Sequence, residues 1–66
     1  MQTRVMVQLR SFPSGTERTA AEIARGMVGV TPAVVEATLN LMAASKPQPL
    51  ATRVPVRNHP DKWRVA

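Results

Sequence analysis

Sixty-six residues, six of them proline and none cysteine, with 44% apolar content and a formal charge of +5, bound this chain to one small domain. Such a chain buries only about 60% of its unfolded surface and has no disulfide or thiolate metal site, so it must fold by packing, helped at most by a partner. Acid–base groups are few and scattered, His59, Asp61 and three glutamates, which argues against an enzyme, and the longest apolar stretch is broken by Glu36, Thr38 and Asn40, which excludes a membrane span.

In chain order, Val5, Leu9 and Phe12 recur at the spacing of one helical face, with Met6 beside them, and predict a first helix over residues 3–12. Alternation of Val5, Val7 and Leu9 makes a strand the rival reading. Pro13-Ser14-Gly15 ends the segment. Thr19 followed by Glu22 spells a capping box and opens a second helix, residues 20–27, with Ala20, Ile23, Ala24 and Met27 on one stripe. Gly26 and Gly29 bracket its end, where positive φ lets the chain reverse.

Thr31-Pro32 repeats the start signal, with threonine as cap and proline at the first helical position. A third helix over 32–44 turns Val35, Thr38, Leu39 and Met42 inward. Val34, Ala37 and Leu41 form a second apolar stripe, which marks either burial under the N-terminal segment or a dimer or protein-partner surface. Lys46-Pro47-Gln48-Pro49 stops this helix. A hairpin over 50–65 follows, with strands at 50–57 and 62–65 around an Asn58-His59-Pro60-Asp61 turn. Pro55 makes the first strand an edge or bulges it. Trp63 reads as a plug between sheet and helices, and the methionines as core filler.

Charge is distributed unevenly. Up to residue 43, Arg4, Arg10, Arg18 and Arg25 face Glu17, Glu22 and Glu36, a balance of +1. Beyond it, Lys46, Arg53, Arg57, Lys62 and Arg64 face Asp61 alone, a balance of +4. The hairpin is the strongly positive element, which suits either a polyanion or plain solubility.

The string AAEIARGMVGVTPAVVEATLNLMAAS followed by a basic hairpin resembles the winged helix-turn-helix family. Gly29-Val30-Thr31-Pro32 with alanine upstream is similar to the Leu-Ala-x-x-x-Gly-Val-Ser-Pro pattern of bacterial regulators, with one extra residue between Ala24 and Gly29. Pro60-Asp61-Lys62-Trp63 is similar to the Pro-x-x-Trp of Z-form-binding winged domains, without that subfamily's recognition-helix tyrosine. The resemblance covers nearly the whole chain and implies a mainly α fold with a small β-hairpin wing: residues 21–27 as supporting helix, 28–30 as turn, 31–44 as recognition helix and 50–65 as wing.

The same resemblance implies a DNA-binding transcriptional regulator of a bacterium, plasmid or phage, located in the cytoplasm and, in a prokaryote, at the nucleoid. Thr31 and Ala33 would meet the major groove of double-stranded DNA, with Glu36, Ala37 and Asn40 on the exposed face. Arg53, Arg57, His59, Lys62 and Arg64 would contact phosphates from the wing, with Arg25 adding a contact from the supporting helix. No cofactor is expected. The difficulty lies in helix three, which has no Arg, Lys or Gln, so Asn40 alone can make a bidentate contact with a base. That scarcity motivates the alternative, a protein-interaction module using Val34, Ala37 and Leu41 for a homodimer, adaptor or inhibitor contact.

Overall fold

A computed structural model describes residues 1–66. Its elements run α1 (Gln2–Arg10), β1 (Arg18–Thr19), α2 (Ala20–Arg25), α3 (Pro32–Ala43), β2 (Ala51–Val56) and β3 (His59–Val65). The chain is a small α+β domain in which three helices cover one face of a three-stranded antiparallel sheet, ordered β1-β3-β2.

All three expected helices form, each somewhat shorter than its apolar pattern. α1 ends at Arg10, so Phe12 packs half-buried from the following turn, and the helix reading prevails over the strand. α2 stops at Arg25 and leaves Met27 to reach the core from beyond the helix end. The capping box is present: the Glu22 N–H donates to Thr19 Oγ1 at 3.2 Å, and the Thr19 N–H donates to Glu22 Oε1 at 3.1 Å. Thr31 caps α3 by accepting from the Val34 N–H at 3.3 Å, with Pro32 at the first turn.

The core unites Val5 and Leu9 of α1, Ala20, Ile23 and Ala24 of α2 with Met27, Val35, Leu39 and Met42 of α3, and Ala51 and Trp63 of the sheet. Trp63, Ile23, Leu39, Met42, Val5 and Val35 are essentially fully buried. Thr38 lies among them because its hydroxyl donates to the Val34 carbonyl one turn earlier, at 2.8 Å, which satisfies the polar group inside the helix.

Three expectations need correction. The sheet has a third strand, since Arg18 and Thr19 pair with Trp63 and Lys62; two residues are too few to show the alternation that announces a strand. The hairpin turn is confined to Arg57 and Asn58, so His59, Pro60 and Asp61 already belong to β3. Gly26 has ordinary negative φ; the Gln8 side chain of α1 occupies the space a Cβ there would need, so its requirement is close approach, whereas Gly29, at φ +73, makes the reversal.

Pro55 behaves as its chemistry demands. It lies on edge strand β2, and the β2–β3 register shifts between Val54 and Val56, where its missing N–H would otherwise break the ladder.

Candidate nucleic-acid interface

Cross-strand register decides where the hairpin cations point. Arg53 and Arg18 both stand opposite Trp63, so they share its sheet face, the face that packs on the helices. Lys62 and Arg64, the neighbours of Trp63 on β3, project from the opposite face beside Val54 and Thr52. Arg57 and His59 lie at the tip, both exposed. The five basic candidates therefore form no single surface: Arg53 lies on the helix side of the sheet with its side chain still 56% exposed, two lie on the outer face, and two stay at the end.

Acidic neighbours divide them further. Arg53 Nε lies 3.6 Å from Asp61 Oδ2 on the adjacent strand. Lys62 lies near enough to the Glu22 carboxylate to favour its charged form. Arg57 and Arg64 have no ion-pair partner. Arg25, in the last turn of α2, is exposed and likewise unpaired, at the helix end where a cation offsets the dipole.

On α3, Ala33, Glu36, Ala37 and Asn40 are all exposed, as a groove-facing surface requires. The hydroxyl of Thr31 already accepts the cap hydrogen bond. Between α3 and the hairpin runs an open cleft of about 210 Å³, bordered by the starts of α2 and α3 and by Pro60 and Asp61. Glu36 and Asp61 both line it. The positive charge of the hairpin is thus interrupted by two carboxylates before it reaches the exposed face of α3.

Val34 and Leu41 are 42% and 63% exposed, and Ala37 between them is open to solvent. Burial of this stripe under the N-terminal segment is ruled out: α1 packs against α3 from the side of Val35, Leu39 and Met42.

Two arginines outside the sequence-based set turn out to matter. Arg18 is spent internally: its guanidinium lies 5.3 Å from the Phe12 ring centroid and its Nε is 3.9 Å from Glu22 Oε2. Arg10, at the end of α1, is exposed, has no acidic partner, and borders the same pocket as Arg64. Summing charge along the chain concealed it, because Arg10 was offset on paper by glutamates that lie elsewhere in space.

No helix is long and apolar enough to cross a membrane. Comparison with protein-family models, with curated proteins and with solved structures gives no match.

Proposed function

We propose that this chain is a small winged helix-turn-helix DNA-binding protein, a transcriptional regulator that holds duplex DNA chiefly by its phosphates. The reading rests on one observation: the β2–β3 hairpin that follows the α2–α3 pair presents Arg57 at its tip and Arg64 on its outer face, exposed and without acidic partners. The capped start of α3, with Ala33 and Asn40 exposed, supports placing that helix at the major groove.

Electrostatics makes phosphate contact the main source of affinity. Each phosphate neutralised adds about −0.9 to the slope of log affinity against log salt, so three to five contacts give a slope of about −3 to −4.5. With Arg53 and Lys62 beside carboxylates, the shallow end of that range, about −3, is expected. A single module of this size offers little contact area, so an operator would take two copies on two half-sites.

The alternative is a protein-interaction module, and the exposed Val34, Ala37 and Leu41 stripe favours it specifically. Gel shift on random duplex across a salt series, beside a size measurement of the free protein, separates the two. Salt-sensitive binding with the expected slope supports the first. No binding, together with a stable dimer that Leu41→Ser dissociates, overturns it in favour of the second.

A further inference from the structure

The end of α1, the turn after it and the end of β3 enclose an open pocket of about 430 Å³, within the size range of small-ligand sites. Arg10 and Arg64 line it from opposite sides of the sequence, and Phe12, Ser14, Gly15 and Thr16 complete the wall between them. We infer that this pocket is a phosphate-binding site, separate from the hairpin tip.

Three features carry the inference. Arg10 and Arg64 are the only charged side chains lining the pocket, both are positive, and neither has an ion-pair partner in the fold. Two basic residues bordering one pocket that no acidic side chain lines repel each other unless an anion or solvent offsets them, and guanidinium geometry matches phosphate oxygens. The turn supplies further donors. The Thr16 N–H bonds back to the Pro13 carbonyl at 3.0 Å and Gly15 sits at φ +80, the arrangement of a type II turn. The Ser14 and Gly15 N–H groups have no acceptor within the protein, and the hydroxyls of Ser14 and Thr16 make no other hydrogen bond.

One feature opposes an anion here: Arg10 lies in the last turn of α1, where its charge already offsets the negative end of the helix. The site therefore takes a group that offers several acceptor oxygens at once, which a phosphate does and a chloride does not.

Along β3, Arg64 lies roughly 20 Å from the tip at Arg57, so the two cations serve separate contacts. The phosphate can belong to a nucleic-acid backbone or to a free phosphate compound, and both present the same oxygens.

Amide NMR of the whole chain, titrated with inorganic phosphate at constant ionic strength set by chloride, tests the site. Saturable shifts at Ser14, Gly15 and Thr16 are expected, with affinity falling about tenfold in Arg64→Ala and in Arg10→Ala and unchanged in Lys46→Ala, a cation that does not line the pocket. Both arginines are exposed, so folding survives the substitutions, and unchanged amide spectra elsewhere verify it. Absence of saturation, or the same shifts in the Arg10→Ala/Arg64→Ala double variant, overturns the inference.

A duplex arm identifies the source. Shifts of the same amides by duplex DNA assign the pocket to a backbone phosphate; saturation by phosphate but not by duplex assigns it to a free phosphate. If duplex binds through Arg57 while neither ligand moves the pocket amides, this inference falls and the proposed function stands. If phosphate saturates the pocket and no duplex binds at all, the reverse holds.

Discussion

Glu36 of α3 and Asp61 of β3 line one cleft, so two carboxylates lie where the hairpin and the candidate recognition helix would approach the same duplex. α3 itself carries no cation to offset them. In a DNA-binding protein this arrangement limits non-specific affinity near α3 and leaves the exposed arginines to provide it.

Removing one of these charges should therefore strengthen binding. Glu36→Gln is expected to raise affinity for random duplex about threefold at low salt, the size of one exposed charge interaction, with little change at high salt. Fluorescence anisotropy at two ionic strengths measures it. Equal effects at both would mean that Glu36 acts through something other than its charge.

Arg57→Ala should weaken binding to every duplex alike and make the salt slope shallower by about 0.9, one phosphate contact. Sequence preference should be small. Asn40 is the only side chain of α3 able to make a bidentate contact to adenine, and one such pair gives about 1–3 kcal/mol of discrimination, so if α3 reads bases, Asn40→Ala should abolish whatever preference exists. A binding-site selection that yields a long, strict consensus surviving Asn40→Ala would contradict this account of α3.

The capping box ties stability to pH. The Thr19 N–H and hydroxyl both donate to Glu22 Oε1, and the nearby Arg18 and Lys62 charges add to them, which holds the Glu22 carboxyl below its ordinary value of 4.5. A lowered folded value means that the charged form stabilises the fold. That contribution is present above the unfolded value and disappears as pH falls through the folded one. Thermal melts across the acid range should show this loss in the native chain and a flatter curve in Glu22→Gln. Thr19→Ala should lower stability by about 1 kcal/mol at neutral pH.

Trp63 is the tightest joint between sheet and helices, 1% exposed on the central strand. Trp63→Ala is expected to cost about 3–5 kcal/mol, comparable with the whole stability of a domain this size, and to leave the chain unfolded. Trp63→Phe should fold with its Tm lowered by roughly 10 °C. Circular dichroism melts distinguish these outcomes.

Asn58 takes φ +61 in the hairpin turn, a left-handed conformation that asparagine tolerates and β-branched residues do not. Asn58→Gly should be nearly neutral, while Asn58→Val should cost about 1–2 kcal/mol and loosen the tip that presents Arg57. Denaturant melts of both variants check the difference.

What the sequence alone determined was the local part of the fold. Thr19 with Glu22 and Thr31 with Pro32 mark helix starts, because caps act within a single turn. The stripes through Ile23 and Met27 and through Val35, Leu39 and Met42 name most of the core, because burial repeats with the helical period. Trp63 and Pro55 were legible from residue chemistry. Tertiary structure decided everything that depends on distant residues meeting. Arg18 and Thr19 became a strand only because β3 lay beside them. Register sent Arg53 toward Asp61 and turned Lys62 and Arg64 to the other face. Glu36 and Asp61 came to line one cleft, and Arg10 and Arg64 one pocket, across long sequence separations, where no periodic pattern announces a neighbour. Net charge counts residues along the chain, whereas binding depends on which charges share a surface; folding leaves Arg57 at one end of the hairpin, Arg10 and Arg64 at the other, and Arg4, Arg25 and Lys46 elsewhere, each exposed and without an ion-pair partner.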